Sequence, residues 1–403
     1  MEKITYDTLK TVNACVDDED TSTTLRVKVL NNLKDSGFII TNNGRLIVPR
    51  NKDYLRKLHN SAVEYILNKN RDFILKHDSK YLDKYIINGR SLDVKDIHPT
   101  LIQVKDKDQS ELFRWIKMHW SIPISAGYGR RLRYIVKDQI NGAIIGIIGL
   151  ADPVYALGDR DRYIGWSPEQ RKKSLKHIMD AFVLGAVPPY SMVLGGKLVA
   201  SLLGSPEIRK DFYNKYQGRR ALISGNIFNG KLAAITTASA LGKSSIYDRI
   251  TIPGGIKFVH AGWTKGSGEF QFSNGLYNEM KEIAYNNIKW TKNPLWGTGI
   301  RNKRVIVREA LRILNLPMDL NYHNIKRELF FISLSEKSLE FLRGQSEHID
   351  YFENTKYDIS NYIINRWMIP RSERYKEYIK FNKDEYSLIK KIGYMNQGSS
   401  SGI

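Results

Sequence analysis

One cysteine, Cys15, stands in 403 residues. That scarcity excludes an internal disulfide framework and a cysteine-built zinc centre, and a reducing, cytoplasmic compartment is the expectation. No run of about 18 apolar residues occurs, so no membrane-spanning helix is expected. The longest apolar stretches, such as Gly142–Ala151, are strand-length and interrupted by glycine. MEKITYDTLK carries acids and no apolar block, and a secretory signal is not expected from it. The eight histidines are scattered singly, without HxH or HxxxH spacing, so no metal site is assigned. No Ser-His-Asp signature and no internal repeat appears.

Acidic charge is also in short supply. Sixty-three Lys and Arg stand against 42 Asp and Glu, a net charge of +21. Such an excess draws polyanions through counterion release and long-range steering. Nucleic acid, DNA first, is therefore the expected partner. The alternative is a basic solubilising surface on a chain rich in Lys, Ile, Asn and Tyr.

An α+β fold is expected, with a central mixed or antiparallel sheet and flanking helices. LRVKVLNNLKDSG (25–37) has partly helical apolar spacing and a glycine stop. FIITNNGRLIV then forms a hairpin around Asn42-Asn43-Gly44. Helix followed by hairpin suggests a winged-helix-like piece, as a DNA binder or as a packing unit. Residues 51–85 are helical. FRWIKMHW (113–120) sets Phe113, Ile116 and Trp120 on one helical face, a core stripe before a base-stacking one. RRLRYIVKD and GAIIGIIGLADP read as strands joined at Gln139–Gly142. Ser167 caps a helix with Pro168 at its first position, and its periodicity carries on from Arg171 to Phe182. YSMV (190–193), ALIS (221–224), the middle of IKFVHAGWTKGSGEF and LFFISL read as strands. GGKLVASLLG reads as a helix, and composition leaves the tail QGSSSGI disordered. Three regions are expected: 1–125, helical and winged-helix-like; 126–285, a mixed α/β core; and 286–403, helix-rich and basic.

Four constellations carry candidate chemistry. TTASALGKSSIYDRI (236–250) offers Lys243, Ser244, Ser245, Tyr247 and Arg249, a point charge, hydroxyls and a guanidinium suited to phosphate. A helix end with local serine turns explains the same residues equally well. It is not a Walker loop. The glycine needed five positions before Gly242 is Thr237, and the preceding KLAAITTASAL is helix-like. GWTKGSGEFQFSNG (262–275) adds Lys265, Glu269 as a base, and glycines that let backbone amides approach an anion. RDRYIGWSPEQR (160–171) places Arg162 at a site edge, while Asp161 either holds an arginine or acts in catalysis. VLGGKLVASLL (193–203, with Gly195 and Gly196) has the grammar of phosphate held at a helix start, weakly similar to the pyrophosphate loop of GNAT-type acyltransferases. On that analogy the central sheet is GNAT-like and binds a donor's phosphates. No particular cofactor is assigned. Catalytic candidates are Glu269, Tyr247 and Asp161. Asp152, Asp161, Asp248 and Glu269 are the acids from which a two-metal nuclease would be built. Arg301, Lys303 and Arg304 extend the basic surface.

RDRYIGWSPEQR, TTASALGKSSIYDRI and GWTKGSGEF, in that order, resemble the DruA family of the Druantia antiphage systems. LRVKVLNNLKDSGFIITNNGRLIVP with YLRKLH, IRNKRVIVREALRILNL with HNIKRELFFISL, and NRWMIPR extend the resemblance over roughly 25–375. It implies a bacterial defence protein acting beside other Druantia components, a large helicase among them. It hands over no catalytic residues. Relatives are expected to carry a histidine near Phe270-Gln271-Phe272, where this chain has glutamine.

Overall fold

A computed structural model describes residues 21–49, 51–125, 127–220, 225, 227–266, 270–272, 275–287 and 303–398. The chain begins with helix α1 (Thr21–Asp35) and a short hairpin, β1 (Ile39–Ile40) with β2 (Leu46–Ile47). Helices α2 (Lys52–Lys57), α3 (Asn60–Lys69) and α4 (Arg71–Tyr85) follow. Then come β3 (Pro99–Gln103), α5 (Lys107–Lys117), β4 (Arg131–Asp138) and β5 (Ile144–Ala151). Helices α6 (Gly158–Ile164) and α7 (Pro168–Ser174) precede β6 (Ile178–Ala186). Helices α8 (Gly195–Ser201) and α9 (Pro206–Tyr216) lead to β7 (Ala234–Ala238) and β8 (Phe258–Trp263). After α10 (Leu276–Asn287) and α11 (Lys303–Ile313) comes β9 (Glu328–Ser333), then α12 (Ser338–Arg343), α13 (Lys356–Ile363), α14 (Ile369–Arg374) and α15 (Leu388–Gly398).

Two compact units result, Met1–Ile47 with Gly268–His323, and Val48–Ser267 with Asn324–Ile403. In the first, α1 buries Leu25, Val29 and Leu33, one residue per helical turn. Gly37 ends it at φ +95° and donates to the Lys34 carbonyl at 2.8 Å. The hairpin pairs Ile39 with Ile47. Gln271, at the position where a histidine is expected in relatives, is a buried tie in this unit. Asn32 Nδ2 donates to its carbonyl at 2.7 Å, and its own Nε2 donates to Leu320 O at 3.2 Å.

The second unit is α+β, a seven-stranded mixed sheet with flanking helices. The strand order is β3-β4-β5-β6-β7-β9-β8. Every pair is antiparallel except β6–β7. One face packs on α8, α9 and α13, through Leu132, Tyr134, Val136, Leu198, Phe212 and Ile359. The other packs on α4, α5 and α15, through Ile135, Phe113, Ile116 and Leu388. A strand covered on both faces has no solvent side, so β5 reads IIGIIGLA with every residue buried. The charged stretch 51–85 forms three helices, and Trp115 of α5 donates from Nε1 to the buried Asp78 at 2.7 Å.

Three local expectations are corrected. The helix capped by Ser167 and Pro168 ends at Ser174, and Ile178–Phe182 belongs to β6. Leu175, Ile178, Met179 and Phe182 mimic helical spacing because β6 is buried from both sides and lacks a period-two signal. KLAAITTASAL supplies strand β7, again a central strand with four of its five residues buried. YSMV is a 3-10 turn whose Tyr190 and Val193 point into the core. The segment ALIS and residues 399–403 of the tail lie outside the described residues.

Candidate nucleic-acid interface

The sheet brings two of the glycine turns to one end. Strand β7 runs into the Gly-Lys-Ser-Ser turn, β8 runs into Thr264-Lys265-Gly266, and β9 starts between them. Gly242 O and Ser239 Oγ both accept from Glu328 N, at 3.1 and 2.9 Å. Ser244 N donates to Glu328 Oε2 at 2.6 Å. On the other flank, Thr264 N donates to Arg327 O at 2.9 Å and Asn324 N to Gly266 O at 3.0 Å. Gly266 sits at φ +68°, and a Cβ there would lie 2.9 Å from the Asn324 backbone, so glycine is required for this closure.

Lys243, Ser245, Lys265 and Lys326 are exposed at this end. Among the described residues none of the three lysines forms an ion pair. Ser244 is used locally, its Oγ accepting from Ile246 N and Tyr247 N at 3.2 and 3.0 Å. Arg162 joins the same flank. Its side chain is 78% exposed and reaches Asp159 Oδ1 at 3.2 Å, while Asp159 Oδ2 accepts from Trp263 N at the end of β8. Arg249 does not join them. It is exposed at φ +65° beside Ile250, whose carbonyl accepts from Phe258 N at the start of β8. Lys303 and Arg304 lie on α11 in the other unit. Glu269 and Arg301 lie outside the described residues.

The chain between Ser244 and Arg249 passes over a divergence in the sheet. Strands β6 and β7 pair only from Ile178–Ala234 to Asp180–Thr236. Beyond that, Tyr247 fills the gap. Its hydroxyl donates to Leu184 O at 3.1 Å, and its ring lies 5.6 Å from those of Phe258 and Phe330. Burial pushes that hydroxyl up to about 12. Lys197 of α8, only 3% exposed, donates to Ile246 O and Asp248 O at 2.6 and 2.7 Å beneath the Trp367 ring. Gly195 and Gly196 are buried and face the chain's own atoms. A Cβ at Gly195 would lie 2.6 Å from Tyr190 O, and one at Gly196 3.3 Å from the Ile246 side chain.

Asp161 is held by two arginines, Arg160 at 2.6 Å and Arg171 at 3.0 Å. Asp152 binds Arg130 at 2.6 Å. Among the described residues no group of three or more His, Cys, Asp or Glu is placed to hold a metal. The preceding strand β7 removes one objection to a Walker loop, but Thr237 still occupies the glycine position, with its hydroxyl donating to Ala181 O at 3.0 Å.

Sequence reasoning missed Lys326, Lys197 and Asp180. Lys326 stands two residues before β9, a signal available once β9 is recognised. Asp180 is half-buried on β6 at the last rung of the parallel pair, where Thr236 Oγ1 donates to it at 2.7 Å. Desolvation raises its carboxyl to about 6, partly offset by the Thr236 bond and by Arg160. The folded state therefore resists ionising Asp180. That cost is absent below the unfolded value near pH 4 and complete above about pH 6. Asp180→Asn, always neutral, is expected to stabilise the protein by about 2–3 kcal/mol at pH 7.5 and by nothing at pH 4. Urea unfolding at the two pH values checks this, and equal gains at both would refute it.

No solved structure matches the chain. A family model described as Druantia protein DruA matches residues 49–344. A curated protein, Druantia protein DruA of Escherichia coli (strain UMEA 4076-1), is 36% identical over 358 residues, covering 88% of each chain. The matched span includes the whole of the sheet described above and both of its basic turns, and on these two matches the chain belongs to the DruA family of Druantia proteins.

Proposed function

We propose that this chain is a component of a bacterial antiphage defence system that binds DNA by its phosphates and works beside other Druantia components, a helicase among them. The observation that carries the DNA reading is the convergence of two glycine turns on Asn324–Glu328, with Lys243, Lys265 and Lys326 exposed there and free of ion pairs. Clustered cations without counterions create the positive potential a phosphate backbone meets, and the net charge of +21 extends it. The helix–hairpin of α1, β1 and β2, read as a winged-helix-like piece, and Lys303 and Arg304 on α11 would add a further contact from the other unit. No helix among the described residues is long and apolar enough to cross a membrane.

Charge reversal tests the reading. Lys243→Glu with Lys265→Glu and Lys326→Glu is expected to weaken binding to a labelled duplex by about tenfold or more near physiological salt. Wild-type affinity should itself fall steeply as salt rises. Fluorescence anisotropy at several salt concentrations measures both, and a wild-type affinity indifferent to salt sinks the proposal.

The second reading is a nucleic-acid-modifying transferase with a GNAT-like core. In its favour are the single parallel pair β6–β7, its divergence after Asp180, and α8 opening on two glycines. Against it, Tyr247 fills the divergence and both glycines pack against protein. The nuclease form of an enzyme reading has Asp152 and Asp161 already committed to arginines. Mass spectrometry of the purified protein for a retained cofactor, and plasmid nicking with and without chelator, separate these from plain binding.

A further inference from the structure

Six cations gather around the edge of the sheet where β4 begins and runs beyond its pairing with β3, at the end away from the two glycine turns. Arg131 and Arg133 are on the strand, Arg114 and Lys117 on α5, and Lys215 and Arg219 at and just beyond the last turn of α9. The cluster is built into the fold. Lys215 Nζ donates to Arg131 O at 2.8 Å. Arg133 reaches Ser110 Oγ on α5 at 3.2 Å. Burial lowers the ammonium pKa of Lys117, and the charges of Arg133, Arg114 and Arg131 lower it further. Burial lowers that of Lys215 too, reinforced by Arg219 and Arg133 and opposed by Asp211. Among the described residues none of the six forms an ion pair. Asp211 accepts from Tyr134 at 3.0 Å.

Like charges pressed together repel, and an arriving polyanion relieves that repulsion. Three aromatic rings of the cluster, Phe73, Phe113 and Tyr216, already lie under cations. Arg114 lies over Phe73 at 4.1 Å, Arg133 over Phe113 at 5.5 Å, and Arg219 and Lys215 over Tyr216 at 5.9 and 5.8 Å. Those ring faces are therefore closed to base stacking, the main grip on single strands. Backbone charge is what remains to be read. We propose that this surface is a second nucleic-acid-binding site, which takes the phosphate backbone of duplex DNA independently of base sequence. The proposal rests on the DNA reading above. Strand β4 is four strand spacings from β9, on the order of 20 Å at about 4.8 Å each. A polymer can engage both sites, and a small anion cannot.

Two measurements test it. In the wild-type protein, acylating reagents should label both Lys215, which is exposed, and Lys117, which is half-buried, to a measurable extent. A duplex oligonucleotide should protect both, and a single strand of equal length should protect them less. In Arg131→Ala/Lys215→Ala/Arg219→Ala, duplex affinity should fall about tenfold or more, and the slope of log affinity on log salt should shrink by about 2–3, near 0.9 per lost contact. Unprotected lysines, or an unchanged slope in a folded variant, while the wild type still binds duplex with strong salt dependence, would overturn this surface and leave the DNA reading standing. Stronger protection by single strand would overturn the choice of duplex. A wild type that binds no DNA would remove both.

Discussion

Replacing Arg160 by alanine lowers the unfolding free energy by about 3–5 kcal/mol, the expected loss when one partner of a buried charge pair is removed. Arg160 is fully buried. Its Nε and Nη2 donate to Asp161 Oδ1 at 2.9 and 2.6 Å. Nη1 reaches Val154 O at 2.7 Å, and Nη2 also reaches Tyr155 O at 3.0 Å. The guanidinium lies 5.5 Å from the Trp166 ring. Alanine would leave Asp161 with Arg171 as its remaining cation and strip the donors from two carbonyls. Arg171→Ala, at a partly exposed pair, should cost only about 1 kcal/mol. Urea unfolding measures both, and a loss below about 1 kcal/mol for Arg160→Ala would refute the account. Because α6 also carries Asp159 and Arg162, duplex binding should weaken at temperatures where the variant remains folded.

Lys197→Met is expected to cost about 3 kcal/mol near neutral pH, since two charge-assisted bonds vanish and the Ile246 and Asp248 carbonyls are left without their donor. The loss has a pH signature. Burial lowers the amine of Lys197 to about 8, with Asp248 opposing and Arg249 adding to the shift. Between that value and the unfolded one near 10.5, the unfolded chain holds more protons than the folded one, so stability rises with pH. The wild type should gain up to about 3 kcal/mol across this window relative to Lys197→Met. Unfolding at pH 7.5 and pH 10 tests the sign, and a difference that shrinks with pH would contradict it. The lysine also anchors the segment that carries Arg249, so the variant should lose any DNA contact made there.

Local signals in the sequence were accurate where one element faced one environment. The Ser167 cap, the turn at Gln139–Gly142, the glycine stop of α1 and the hairpin at Asn42–Gly44 all depend on neighbours a few residues away. Strands β6 and β7 carry a helix-like pattern because they lie in the middle of the sheet, where burial on both sides erases the alternation that marks a strand. Lys197 sits in GGKLVASLL, where a lone cation reads as an exposed charge. Only the folded chain shows that the Ile246 and Asp248 carbonyls, some fifty residues on, are its partners. The paired glycine turns could be suspected as one site from their shared composition. Their meeting point, Asn324–Glu328, depends on β9 inserting between β7 and β8, a long-range event that spacing does not encode. The cation cluster at β4 has the same origin, since Arg131 and Lys215 meet only through packing of α9 on the sheet.

The bond from Asn324 N to Gly266 O closes a circuit. Strands β8 and β9 are hairpin partners, yet Gly268–His323 is lodged where a tight turn would suffice. The chain leaves and re-enters the sheet at touching points, so the pairing of β8 with β9 is closed by backbone bonds within the sheet's own unit.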